Sequence, residues 1–374
     1  MYNVGGVVLK RYFVAPGRIN VIGEHTDYNE GFVLPVAIDK YVLLSVEKTS
    51  GSKISLSSMG REPVSFDESK IQKTGDWSDY LKGVLWVLKD ELGTEFGGMS
   101  IEINSNLPEG AGLSSSAAVE VAMIVALNSS FNLKLDETEL YDYARKAENE
   151  FVGVKCGVMD QFAAVMGKKD KAIFLDTLEM RYEYVPLELG DYTFLVFDSK
   201  VHHSLSKGGY NTRREEARKA LEILGKSSYR DVSMVDLFPN RSRLGELYYR
   251  RALHVVSENM RVLESVKIMS NSNFENLGRL LIQSHESLAL DYEVSCDETD
   301  FIVNTLREMK GVSGARMIGA GFGGSVLSLC EKEEEKKIVE VIKTRYKERF
   351  GIDLDSYEVR TSDGAREVDS SFSL

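Results

Sequence analysis

Asp160 is the single carboxylate in "GVMDQFAAVM", residues 157–166. Among Val158, Met159, Phe162, Ala163 and Ala164 it loses hydration, which raises a carboxyl pKa, while a nearby arginine would pull it down again. Such a pair can hold an ionised aspartate ready to accept a proton. The same residue could equally cap a short helix over "QFAAVM". A second cluster is "PGRINVIGEHTDYNEG", residues 16–31, which gathers Arg18, Glu24, His25, Asp27 and Asn29 around turn-forming glycines. Adjacent polar side chains on a tight turn offer the fan of donors and acceptors that a hydroxyl-rich ligand such as a sugar needs, since each buried hydroxyl must be paired. The alternative is a polar turn that caps its own backbone, with Asp27 and Asn29 in Asx-type roles.

A third stretch, "LPEGAGLSSSAAVEVAMIVAL" (residues 107–127), sets three serines between a glycine turn and an apolar run. The run is too short to cross a bilayer and reads as a core helix, with Glu120 its only charge. Ser114, Ser115 and Ser116 then fall at its N-cap and first turn, where hydroxyls satisfy orphaned backbone N–H groups. Gly110 and Gly112 just ahead of a positive helix end also make an anion site, with phosphate the natural ligand. No lysine follows the glycines, so this is not a Walker A loop, and nucleotide charge must be met by the helix end and a metal. A serine hydroxyl plus one carboxylate suits Mg²⁺, and Glu148 on the next helix is a candidate partner, unless it is an ordinary surface glutamate. The fourth stretch, "GARMIGAGFGGSVLSL" (residues 314–329), satisfies G-x-G-x-x-G at Gly319, Gly321 and Gly324. The residues after the last glycine read as a strand rather than a helix, which argues against dinucleotide binding and leaves a glycine loop close to a ligand.

These stretches need elements to hold them. The first hundred residues alternate like strands, in "YFVAPGRINVIG", "YVLLSVEK", "KISLSS" and "MSIEINSNL". Helical spacing marks residues 79–92, 117–127, 137–150, 212–224, 247–269 and 274–290. "YTFLVFDS", "ARMIGAG", "SVLSLC" and "DSYEVR" read as later strands, and "EKEEEKK" as a solvated helix start. Strands and helices intermingle without a regular βαβ period, so an α+β fold is expected rather than a doubly wound sheet.

The 374 residues allow two domains, and with 6 prolines and no biased linker any two should share a substantial interface. A net charge of −12 argues against a nucleic-acid partner and requires an anionic substrate to be held locally. Cys156, Cys296 and Cys330 form neither a disulfide framework nor a zinc pattern. The first eighteen residues lack a signal-peptide core. A cytoplasmic protein, with no membrane segment, is the expectation.

Taken together, the four stretches resemble the GHMP kinases, and within that family the members that phosphorylate galactose. "GRINVIGEHTDYNEGFVLP" is similar to the signature those members carry near the N-terminus, "LPEGAGLSSSAAVEVA" to the family's ATP-binding motif, and "GARMIGAGFGGSVLSL" to its third motif. The order matches, and the likeness spans essentially the whole chain. It implies the two-domain GHMP architecture: residues 1–185 like the second domain of ribosomal protein S5, residues 186–374 ferredoxin-like, and an active site between. It further implies that Asp160 is the base acting on the sugar C1 hydroxyl and that Arg18 steadies its charge. Glu24, His25, Thr26 and Asp27, with Gly157 and Tyr210, would bind the sugar. Gly110, Ala111, Gly112, Leu113, Ser114, Ser115 and Ser116 would cradle ATP, with Ser116 and Glu148 holding Mg²⁺. The reaction implied is phosphoryl transfer from ATP to galactose by a monomer. The alternatives are a kinase for N-acetylgalactosamine and a sensor that binds galactose and ATP without turnover; the intact "GLSSSAA" and Asp160 favour the enzyme.

Overall fold

The computed structural model describes residues 10–202 and 206–374; the expectation about a leader rests partly on residues 1–9, which lie outside these. Strand β1 (Arg11–Asn20) is buried from Phe13 onward, as its near-continuous apolar sequence requires. The chain continues through β2 (Phe32–Val33), β3 (Pro35–Lys48), the hairpin β4 (Lys53–Ser58) and β5 (Val64–Asp67), α1 (Asp79–Leu92) and β6 (Met99–Ser105). Helices α2 (Ser115–Phe131), α3 (Glu137–Lys146) and α4 (Met159–Met166) follow, then β7 (Lys171–Asp176) and β8 (Arg181–Pro186). The second half comprises β9 (Tyr192–His202), α5 (Ser206–Leu224), α6 (Met234–Leu237), α7 (Arg241–Met269), α8 (Phe274–Ser287), α9 (Asp297–Arg307), β10 (Val312–Ile318), β11 (Gly323–Glu331), α10 (Glu335–Phe350), β12 (Asp355–Val359) and β13 (Arg366–Val368).

Three sheets result, ordered β13-β1-β3-β6-β4-β5, β10-β11-β9-β12 and β2-β7-β8. The second has the ferredoxin-like order, all antiparallel, with α10 between β11 and β12. In the first, only β4–β6 is parallel, so the fold is α+β and not doubly wound. The last strand does not stay with its neighbours in sequence: β13 returns to pair with β1, Tyr12 opposite Val368.

Helix α2 is apolar on every face and correspondingly lies in the largest core cluster, against β1, β3 and α1. The other expected helices are present, α5 and α7 each starting six residues early, while α6 and α9 were not anticipated; two departures are instructive. The segment expected as one helix over 137–150 leaves the α-helical path at Lys146 and widens into a π-helical turn, Ala147–Val152. Helix α8 does the same at Leu288–Tyr292. Wide turns of this kind re-aim side chains and cluster at functional sites, and both lie beside the cleft that holds Asp160. No helix among the described residues is long and apolar enough to cross a membrane.

Candidate active site

A cleft of about 370 Å³ opens where the end of β1, the approach to α4, the start of α5 and the β10–β11 loop converge. Arg18 reaches it because a bulge between Pro16 and Arg18 shifts the β1–β3 register. Its guanidinium grips Asp160 with two bonds, Nε to Oδ1 at 2.8 Å and Nη2 to Oδ2 at 3.1 Å, while Nη1 donates to the Gly112 carbonyl at 2.6 Å. Arg18 is almost fully buried and Asp160 about one quarter exposed, so the carboxylate meets the cleft with its cation behind it. Asp160 is not the cap of its helix. Val158 holds the N-cap position, Asp160 lies in the first turn, and its carboxylate is spent on Arg18 and Ser114.

Ser114 departs from expectation in the same way. It occupies the N-cap position of α2, yet in the left-handed conformation (φ 60°, ψ 46°) and with no side-chain capping bond. Its hydroxyl donates instead to Asp160 Oδ2 at 2.6 Å. A non-glycine residue held there costs about 1–3 kcal/mol, a strain that persists where the surroundings demand it.

The segment after β1 builds the opposite wall. Glu24 is buried, and its Oε1 accepts from Arg316 Nη2 and from the Gly319 amide, both at 3.0 Å. His25 takes a positive φ of 61° and shares a 2.7 Å hydrogen bond between Nδ1 and the Tyr28 hydroxyl. Burial, with His254 nearby, pushes His25 down to about 3, so its ring is a neutral donor and acceptor near pH 7. Asp27 goes the other way: burial, reinforced by the Asp160 charge, lifts its carboxyl to about 7. Gly157 lies so close that a Cβ there would fall 1.8 Å from Asp27 Oδ2. Tyr210, in the first turns of α5, lays its ring 5.7 Å from His25 and 5.1 Å from Tyr28. Thr26 does not join them. It is fully buried, and its hydroxyl points back to the Gly23 and Phe32 carbonyls (2.7 and 2.6 Å), closing the turn.

The Gly110–Ser116 loop does not line the cleft itself but is tied to it through Arg18 and Asp160. The Ala111 carbonyl accepts from Ser325, the Gly112 carbonyl from the Arg18 side chain and the Leu113 carbonyl from the Arg18 amide. Three successive carbonyls of the loop are thus turned into the protein. Gly112 (φ 70°) sits against the third glycine segment, where a Cβ would meet the Ile318 carbonyl at 3.3 Å. Gly324 is the second residue of β11, so the G-x-G-x-x-G match runs into a strand and is not a dinucleotide turn.

Ser115 and Ser116 open α2, and Ser116 lies near Glu148, which the π-helical turn after α3 brings inward. Glu148 is buried rather than a surface helix residue. Its hydrogen-bond donors among the described residues are uncharged: the Cys156 thiol at 3.2 Å and the Gln161 amide at 2.6 Å. Burial raises its pKa. A buried carboxylate so placed fits a hard divalent cation, and a hydroxyl plus one carboxylate leaves the remaining positions to phosphate and water, the usual habit of Mg²⁺.

Sequence reasoning missed several residues here. Arg316 lies inside the third motif, but its role depends on a partner almost three hundred positions away. It is fully buried, its guanidinium bonded to the Asn20, Val21 and Met317 carbonyls as well as to Glu24. Tyr28 and Tyr292, joined at 3.1 Å, brace His25. His254 holds the Glu24 carbonyl at 3.1 Å. Gln161 bridges Glu148 and Glu120. Burial, with the Glu148 charge beside it, raises Glu120 well above the ordinary carboxylate range.

Comparison with known proteins agrees with this arrangement. Residues 5–48 match the galactokinase galactose-binding signature, residues 79–168 the GHMP kinases N terminal domain and residues 264–348 the GHMP kinases C terminal model. A galactokinase of Thermotoga petrophila is 50% identical over 95% of this chain and 99% of its own length. A galactokinase of Pyrococcus furiosus is 44% identical over 94% of this chain and 97% of its own. Among solved structures, Lactococcus lactis galactokinase complexed with galactose superposes with a TM-score of 0.92 at 35% identity, covering 96% of this chain and 95% of that one. Methanococcus jannaschii mevalonate kinase shares the fold, with a TM-score of 0.71 at 19% identity over 96% of this chain and all of that one. An N-terminal segment matching the galactose-binding signature, a serine loop hydrogen-bonded to Asp160 and a ferredoxin-like second half thus coincide with one lineage: the chain belongs to the GHMP kinases and, within them, to the galactokinases.

Proposed function

We propose that the chain transfers the γ-phosphoryl group of ATP to the C1 hydroxyl of galactose, and that Asp160 takes the hydroxyl proton. The observation that carries this reading is the Asp160 carboxylate, held by Arg18 from behind and open to the cleft in front, facing Glu24, His25 and Asp27. In the step, the C1 oxygen bonds to the γ-phosphorus, the bond to the β–γ bridging oxygen breaks, and the proton passes to Asp160. Arg18 balances the aspartate before transfer and lies near the phosphoryl group during it. Glu24, Asp27 and neutral His25 pair with sugar hydroxyls; Gly157 lets Asp27 occupy its position, and Tyr210 walls the sugar. Residues 110–116 receive the phosphates at the start of α2. Ser116 and Glu148 would hold Mg²⁺, which neutralises phosphate charge when bound. Most of the rate then comes from positioning and charge balance rather than from covalent chemistry.

Every group in this reading comes from one chain, which supports a monomer working in the cytoplasm, where ATP is supplied. The division near residue 185 belongs to the same proposal, with the sugar and phosphate segments before it and the third glycine segment after. The test is ADP release with ATP and Mg²⁺ in the presence of galactose, N-acetylgalactosamine, glucose or no sugar. Release with galactose alone is expected. Galactose binding without ADP release would replace the kinase with a sensor, and release with another sugar would overturn the substrate.

A further inference from the structure

Helix α2 carries one charge-bearing residue in its apolar core stretch, Glu120, and it is fully buried. A carboxyl group at such a position is costly unless it is paired. Its one hydrogen bond comes from Gln161 Nε2, at 3.1 Å to Oε2, while Oε1 has no partner. Gln161, equally buried, uses the same amide nitrogen to donate to Glu148 Oε2 at 2.6 Å; its own Oε1 is unpartnered. One amide group thus ties the middle of α2 to the wide turn carrying Glu148, from a helix, α4, that also carries Asp160. An apolar residue at either position would pack more cheaply, so the arrangement asks for a purpose.

We propose that Gln161 and Glu120 are positioning residues for the metal: Glu120 fixes the Gln161 amide, and that amide fixes the Glu148 carboxylate facing Ser116. The inference rests on the reading of Glu148 and Ser116 as Mg²⁺ ligands. Hydrogen bonds behind a ligating carboxylate set its orientation, and losing one typically costs about 10–100-fold in metal affinity. Neither residue touches the sugar side of the cleft in this arrangement, so galactose affinity should not follow the metal effect.

The measurement is the factor by which Mg²⁺ tightens ADP binding, from calorimetric ADP titrations with and without saturating Mg²⁺, alongside galactose affinity on each variant. Gln161→Met, of similar volume, should reduce that factor at least about tenfold while galactose affinity stays within about threefold. Glu120→Ala should do the same, and Glu120→Gln, which keeps an acceptor oxygen for Gln161, should restore it. Should Gln161→Met not fold, the contrast between Glu120→Ala and Glu120→Gln decides alone. Glu148→Gln is the control: if it loses the Mg²⁺ effect while Gln161→Met or Glu120→Ala keeps it, the positioning role is overturned. If Glu148→Gln keeps the effect, the assignment of Glu148 as a ligand fails, and the inference falls with it.

Discussion

Replacing Asp160 by Asn separates charge from shape in the cleft. In the parent chain the carboxylate receives two N–H bonds from Arg18 and one O–H bond from Ser114. Asn keeps one acceptor oxygen for Arg18, but its amide nitrogen faces a donor, so either the Ser114 hydroxyl reverses to accept or the side chain rotates. The deeper loss is the proton acceptor. A positioned general base is worth about 10²–10⁴ in rate, or about 2.7–5.5 kcal/mol of barrier. The fold should suffer less. Arg18 keeps the Gly112 carbonyl and the nearby Glu24 and Asp27 carboxylates, and Asp160 is partly solvated, which limits the stability cost to about 1–2 kcal/mol. Single-turnover formation of sugar phosphate, measured by rapid quench at saturating substrates, should therefore fall about 10²–10⁴-fold, with calorimetric galactose affinity within about tenfold. Turnover within tenfold of the parent would show that the proton leaves by another route and that Asp160 is not the base. Loss of galactose binding together with the fold would show that the Arg18–Asp160 pair serves structure first.

Ser114→Ala removes a hydrogen bond to a charged acceptor, worth about 1.5–3 kcal/mol, so turnover should drop about 10–100-fold with little change in the KM for ATP; an unchanged turnover refutes the role. Ser114→Gly should lose the same activity yet melt higher than Ser114→Ala, because glycine accepts the left-handed conformation that alanine resists by about 1 kcal/mol. Gly157→Ala drives a Cβ into Asp27 Oδ2 and should weaken galactose binding at least about tenfold, roughly the loss of one good hydrogen bond to a charged group, while leaving ADP binding intact. For Asp27, the folded pKa of about 7 lies above the unfolded value of 3.8, so the folded state binds more protons between those limits. Stability from this group is therefore full below about pH 4, declines as pH rises towards 7, and is flat above. Asp27→Asn should abolish that slope and match or exceed the parent's melting temperature at pH 8; an unaltered slope in melting temperature against pH would refute the assignment.

What could be read in the sequence depended on how local each cause was. Helix α2 and strand β4 declare themselves through periodicity and composition, and Asp79–Leu92 matches its helix because its apolar stripe is local, with Ser78 and Gly93 flanking it at either end. That Asp160 wants a nearby arginine was legible as chemistry, but that the arginine is Arg18 came from the resemblance to the GHMP kinases, and the hydroxyl of Ser114 looked like a cap and serves the acid instead. Thr26 sits in the middle of the polar turn and looked available, yet the turn uses its hydroxyl internally. Arg316, Tyr292 and Gln161 were silent because their partners are brought up by tertiary folding, and a lone Arg, Tyr or Gln carries no spacing signal. The π-helical turns were equally hidden, since one extra residue in a turn leaves the hydrophobic pattern almost unaltered.

Strand β1 carries Arg18, and its outer edge is completed by β13, whose Arg366–Val368 pair with Val14–Tyr12 from the far end of the fold. During synthesis that edge stays open until some 350 further residues have emerged. Loop closure over such a span is slow, and an exposed buried-type strand invites pairing with other chains meanwhile. The order of events in folding is thereby constrained: the sheet that aims the arginine can consolidate around β3 early, but it is sealed last. Chains shortened before residue 366 should fail by aggregation during production rather than by loss of catalytic groups, all of which lie upstream.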